Sequence, residues 1–129
     1  MAPASAGPPQ LTLHRVYAGP PPEGTRVLVD RLWPRGISRE RLSPELWLRE
    51  IAPSDELRRW FGHRPENWAE FRRRYLEELS EPMQSEALDQ LVDLARNGPL
   101  VLLYSARDEE HNQAVVLRDA LAERLPPGA

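Results

Sequence analysis

A chain of 129 residues is long enough for one domain with a true hydrophobic core and short for two. Its formal net charge of −3 and isoelectric point near 5.6 argue against a general nucleic-acid or polybasic membrane binder. The absence of Cys excludes disulfides, thiolate nucleophiles and Cys-ligated metal centres, and no stretch approaches the ~20 apolar residues of a membrane-spanning helix.

Residues 1–10 (MAPASAGPPQ) lack the basic start and apolar segment of a signal peptide, so a cytoplasmic protein with a disordered N-terminal tail is expected. Leu11–Tyr17 alternates loosely and reads as a short strand. Ala18–Gly24 is a Pro/Gly loop, and Thr25–Asp30 is a second strand built on Val27, Leu28 and Val29. That strand runs straight into charge: VLVDRLWPRG places Asp30, Arg31, Trp33 and Arg35 immediately after it.

The pattern then turns helical. Ser43-Pro44 reads as a helix start, with Ser43 as N-cap, Pro44 in the first turn and Leu46, Trp47 and Ile51 as the apolar side. Pro53-Ser54 stops that helix and caps another, which carries Leu57, Trp60 and Phe61 and ends at Gly62. From Pro65 to about Leu79, the residues Trp68, Phe71, Tyr75, Leu76 and Leu79 form one apolar stripe. Arg72, Arg73 and Arg74 read as a solvated face near Glu70, Glu77 and Glu78. Met83–Arg96 is a further helix, stopped by Asn97-Gly98-Pro99. Leu100–Tyr104 is wholly apolar, the mark of a strand buried on both faces. A last helix runs to about Leu125 with Asp108 as its expected N-cap, and residues 126–129 form a loose tail.

These elements predict a single compact α/β domain over residues 11–125, with a small, mostly parallel central sheet and helices on both faces. Val27–Val29 and Leu100–Leu103 are expected to be parallel neighbours, while the direction of the first strand stays open. Parallel pairing would bring Asp30, Arg31 and Arg35 to face Ser105, Arg107, Asp108, His111 and Asn112 at the sheet edge where α/β ligand clefts form.

Every one of the positive side chains is Arg, a planar fork suited to carboxylates, phosphates and aromatic faces. Arg31, Arg35 and Arg107, with the N-terminus of the last helix, would make an anion pocket; alternatively they pair with Asp30 and Asp108 and lock the loops together. Asp30 with His111 or His63 offers a carboxylate–imidazole pair for acid–base chemistry. His63 follows Trp60-Phe61-Gly62, in a loop able to fold over the cleft. Ser105 lacks the surroundings of a nucleophile elbow and is read as a ligand contact, with Asp108 and Asn112. Asp30, Asp108, Glu110 and His111 show no diagnostic metal spacing, so no metal is expected, and no cofactor is identified. Trp47, Trp60 and Trp68 are expected in the core, and Trp33 as a lid or stacking platform.

VLVDRLWPRG, IAPSDELRRWFGH (Ile51–His63), the Trp68/Phe71/Tyr75 pattern and LLYSARDEEHNQAVVL (Leu102–Leu117) resemble the YeaO-like proteins, the short branch of the bacterial domain-of-unknown-function 488 family. The resemblance spans about Leu11 to Leu125. That family has no established reaction, so none is implied. Some members carry MarR-type regulator labels, but no winged helix-turn-helix pattern or basic recognition helix is present here. Longer members have a Cys-His-Arg run near the position of Asn112-Gln113-Ala114, which this chain lacks. Two functions therefore compete: a binder of a small anionic ligand with an enzymatic role open, and a non-catalytic interaction module for nucleic acid or protein. The first requires Asp30, Arg35, Arg107 and His111 to share one water-accessible pocket; the second requires a flat or projecting surface with Trp33 exposed.

Overall fold

The longest apolar run becomes the centre of the sheet. In the computed structural model, which describes residues 11–125, Leu100–Tyr104 forms β4 and is buried at all its positions. β1 (Leu11–Arg15) and β2 (Thr25–Leu28) flank it, and both pair with it in parallel, Leu13 and Val27 each lying opposite Leu102. A two-residue strand, β3 (Leu46–Trp47), adds in parallel to the far side of β2, giving the order β1-β4-β2-β3. The second and last strands are thus parallel neighbours, and the first strand runs the same way. The expected terminal tails, 1–10 and 126–129, lie outside the described residues.

Strand alternation divides the core into two unequal parts. Val27, Val29, Leu100, Leu102 and Tyr104 join the larger cluster. It is completed by helices α2 (Asp55–Phe61), α3 (Trp68–Leu79), α4 (Pro82–Arg96) and α5 (Gln113–Arg124). Leu28, Val101, Leu103 and Val16 face the other way, under a thin cover of Ile37, Leu42, Trp33 and Trp47. Among the described residues, the only helix in that cover is one turn, α1 (Arg39–Leu42), capped by the Ser38 hydroxyl. The chain is therefore α/β with helices on both faces, but most of the helical mass lies on one. At the other end of the sheet Gly24 approaches Pro99 so closely that a Cβ would stand 2.9 Å from the Pro99 carbonyl oxygen, at a φ of +138°.

The segment after α1 departs from the helix expected at Ser43-Pro44. Ser43 ends α1 in the left-handed region rather than starting a helix, and the chain continues extended as β3. The cause is the open edge of β2. Glu45 donates its N–H to the Arg26 carbonyl, its carboxylate accepts the Arg26 N–H, and Leu48 donates to the Leu28 carbonyl. These long-range bonds outweigh a local capping signal that a Ser-Pro pair shares with turns. Only a 3₁₀ turn, Arg49–Ile51, follows, and the Tyr75 hydroxyl donates to the Ile51 carbonyl from the core.

Further along, the start and stop signals act as the residues imply. Ser54 caps α2 and Gly62 closes it in the left-handed region. Leu57 and Phe61 bury the inward side of this short helix, whereas Trp60 lies at its margin, 38 % exposed beneath the Arg74 guanidinium. Trp60 is therefore not a core residue; Trp47 and Trp68 are half-buried against the core. Arg73 pairs with Glu70 and Glu77, and Arg74 with Glu70, which pulls the Glu70 carboxyl down to about 2. Arg72 reaches Asp119 instead. Glu78 takes no part in that arginine face, because its carboxylate accepts both the Ser54 N–H (2.9 Å) and the Ser54 hydroxyl (2.6 Å).

That last contact ties α3 to the start of α2 through one serine that also caps its own helix. Ser54→Ala is expected to cost about 1–2 kcal/mol in urea denaturation. Glu78→Gln should cost less, and the double variant less than the sum of the two. Strict additivity would show that the two side chains act independently.

Candidate functional site

Three strands delivered in parallel bring three polar segments to one edge. The Val29 N–H donates to the Leu103 carbonyl and the Val16 N–H to the Tyr104 carbonyl, so the chain stays ordered just past each strand end. Residues 30–35, 105–108 and 111–113 then border a cavity of about 900 Å³. Its lining includes all ten residues singled out from the sequence: Asp30, Arg31, Trp33, Arg35, His63, Ser105, Arg107, Asp108, His111 and Asn112. They do not play equal parts.

Asp30 is buried, with 8 % of its surface exposed. Its carbonyl accepts the Trp47 indole N–H at 2.7 Å, and its Oδ1 accepts the side-chain amide of Gln113. Burial raises the Asp30 pKa above the ordinary carboxylate range, while Ser105, Gln113 and the Arg58 charge oppose the rise. Asp30 Oδ2 is fully buried and has no aligned hydrogen bond among the described residues, while the Ser105 side chain is the strongest influence favouring the charged carboxyl.

The arginines divide into anchored and free. Arg31 donates to the Ala52 and Pro53 carbonyls at 3.2–3.3 Å and lies 3.8 Å from Asp55, so it brackets the turn before α2. Arg35 and Arg107 are exposed at the cavity and have no acidic partner among the described residues. The Arg35 carbonyl accepts the Tyr17 hydroxyl at 2.8 Å, which fixes the loop backbone and leaves the guanidinium unengaged. Arg15 donates to the Ala106 carbonyl at 2.9 Å and covers the Tyr17 ring, so the end of β1 braces both loops.

The second loop is organised by Asp108, but not as a helix cap. Asp108 Oδ1 accepts the N–H groups of Glu110 and His111, and its Oδ2 meets His111 Nδ1 at 2.9 Å. These contacts, the Glu110 N–H first, hold its carboxyl below the usual range. With Asp108 spent on its own loop, the cap falls to buried Asn112. Its Oδ1 accepts from Ala114 and Val115, and its amide donates to the Asp108 carbonyl. The imidazole of His111 therefore pairs with Asp108 rather than Asp30, and lies edge-on to Trp68. His63 holds a positive φ beside Phe61. Trp33 is no projecting platform: its indole N–H donates to the Ile37 carbonyl, it packs edge-on to Trp47, and Arg39 covers its face.

Arg15, Tyr17, Arg58, Phe61, Phe71 and Gln113 also line the cavity and were not singled out by the sequence as site residues. Arg15 and Tyr17 follow from a parallel first strand. Gln113 carries no local signal, since its partner Asp30 is 83 residues away. No group of three or more potential metal ligands occurs among the described residues, and no helix there is long and apolar enough to cross a membrane.

This is a small α/β protein with a crevice at the carboxyl ends of its parallel strands. The chain belongs to the DUF488 family: the model of the branch described as the inactive DUF488-N3 subclade matches residues 10–128. It is 46 % identical over 99 residues to the uncharacterized protein YeaO of Escherichia coli K12, covering 77 % of this chain and 84 % of that one. It is 40 % identical over 116 residues to the uncharacterized protein Rv3073c of Mycobacterium tuberculosis, covering 89 % and 96 %. No solved structure matches the chain significantly.

The raised pKa of Asp30 fixes the sign of a pH effect. A carboxyl whose folded pKa exceeds its unfolded one stabilises the fold at low pH, and that contribution disappears as pH rises through the folded pKa. Asp30→Asn keeps an acceptor for Gln113 and removes the charge. Relative to the parent, it is expected to gain stability as pH rises from 4 to 8 in urea denaturation. A constant difference across that range would show that Asp30 does not titrate on folding.

Proposed function

We propose that the protein is a cytoplasmic binder of a small anionic ligand, a phosphate, nucleotide or carboxylate, held in the cleft between the loops after β2 and β4. The observation that supports this best is the pair of guanidiniums, Arg35 and Arg107, that line one cavity without an acidic partner among the described residues. Free guanidiniums at a concave site suit planar, bidentate recognition of carboxylate or phosphate. The start of α5 contributes less than its dipole suggests, because Asn112 already occupies the Ala114 and Val115 N–H groups. The anion therefore rests on side chains.

Binding is favoured over chemistry. Asp30 and His111, the acid–base candidates, are engaged separately, with Gln113 and Asp108 respectively. The description of the matching branch as inactive accords with this. A role as a nucleic-acid or protein module is less well supported, since the packed Trp33 offers no stacking face.

Inorganic phosphate and pyrophosphate are expected to raise the melting temperature at low ionic strength and to lose effect with added salt. Arg35→Ala and Arg107→Ala should each weaken the response about tenfold or more. Equal stabilisation of parent and both variants would put the anion elsewhere.

A further inference from the structure

We propose, resting on the anion-cleft reading, that the cleft takes a dianionic terminal phosphate, a monoester, and that His111 takes up a proton to bind it. The starting point is the Asp108–His111 pair in the cavity lining. Asp108 Oδ2 stands 2.9 Å from His111 Nδ1, and Asp108 Oδ1 is fixed by the Glu110 and His111 N–H groups. The carboxylate therefore holds the ring with Nδ1 as the donor. The second ring nitrogen, Nε2, has no hydrogen bond among the described residues. The His111 side chain is 30 % exposed, so the ring is within reach of a ligand.

A neutral ring held in this way offers Nε2 as an acceptor. A protonated ring offers it as a donor, with Asp108 balancing the new charge. An anion placed beside Nε2 favours the second form.

The charges around the ring leave a place for that cation. On its own loop His111 meets Asp108, with Arg107 before it and Glu109 and Glu110 exposed between. From α3 it meets Trp68, which is uncharged, and the following Asn112 and Gln113 are neutral. The same cavity is lined by Asp30, Arg31 and Arg35 from the β2 loop, by Arg15 from β1, and by Arg58 and His63 from α2 and the loop after it. Arg15 and Arg31 are engaged by carbonyls, Arg58 pairs with Asp55 at 3.1 Å, and Asp30 is buried against Gln113. Arg35 and Arg107 remain, and an imidazolium makes a third positive group. Three such groups suit a head with two negative charges and three terminal oxygens better than a carboxylate or a diester, each with one charge. A volume of about 900 Å³ leaves room for the rest of an ester.

Isothermal titration of the full chain at pH 7 with methyl phosphate, dimethyl phosphate and acetate tests the charge preference. Methyl phosphate is expected to bind about tenfold or more tightly than either of the others. Sulfate tests the proton, because it stays a dianion from pH 6 to 8.5 and any pH dependence then belongs to the protein. Its affinity is expected to fall about tenfold over that range, since an ordinary histidine loses its proton near pH 6.5 and must regain it to bind. His111→Gln should flatten this dependence, and His63→Gln should not. The unmodified chain gives a second measurement, because it has three histidines whose ring signals can be followed by NMR. At pH 7.5, sulfate should shift the His111 ring, assigned by eliminating His14 and His63, toward the imidazolium form. The proposal fails, and the anion cleft stands, if methyl phosphate binds no more tightly than dimethyl phosphate. The same holds if the His111 ring stays neutral with sulfate bound, or if His111→Gln keeps the parent's pH dependence. If none of these anions binds, both readings fail.

Discussion

The register between β2 and β4 runs from Thr25 opposite Leu100 to Leu28 opposite Leu103, and everything at the cleft depends on it. Because the strands run the same way, the charged segment after Val29 and the polar segment after Tyr104 leave by the same edge. A slip of one residue would turn Val27 away from the large cluster and Leu28 into it. The two clusters are so unequal in thickness that such an exchange is strongly resisted. The site thus inherits its precision from apolar packing rather than from its own polar contacts. Those contacts then refine it: Arg15 reaches the β4 loop and Tyr17 reaches the β2 loop from the third parallel strand.

Asp30 is the point at which this frame carries a cost. A carboxylate removed from water needs partners, and this one has a neutral amide on one oxygen and no aligned hydrogen bond on the other among the described residues. Its position is nevertheless overdetermined. The strand fixes its backbone, Trp47 holds its carbonyl from β3, and Gln113 holds its side chain from α5. An incompletely satisfied group held this firmly is a feature of binding sites more than of cores, where an apolar residue would stabilise more.

How far the sequence discloses this depends on the range of each interaction. β4 is legible because a continuous apolar run has few other fates. The stripe from Phe71 to Leu79, the Ser54 cap and the Gly62 stop are legible because each is settled within one or two helical turns. Ser43-Pro44 misleads because its local signal fits both a helix start and a turn, and the open edge of β2 decides for the turn. Asp108 and Asn112 are both good caps four residues apart. The choice falls on Asn112 because the Asp108 carboxylate is taken by its own loop, an Asx-type turn that composition does not distinguish from a cap. The candidate site is legible as a set of residues, since parallel strands sufficed to collect them. Their division of labour is not, since it turns on contacts such as Gln113 with Asp30.

That division is clearest in Arg31 and Arg35, which share one ten-residue stretch and one charge. Arg31 is captured by the carbonyls of Ala52 and Pro53 and lies near Asp55; Arg35 has its backbone pinned by Tyr17 and its guanidinium left open. What separates them is the turn at 49–53, and that turn is held from the core by the Tyr75 hydroxyl on Ile51. A buried tyrosine on α3 thereby fixes the carbonyls that engage Arg31, without touching the cavity itself. The Tyr75–Ile51 contact therefore does more than stabilise the fold: it helps to set the turn on which Arg31 is spent, so that of the two arginines Arg35 is the one left to the cavity.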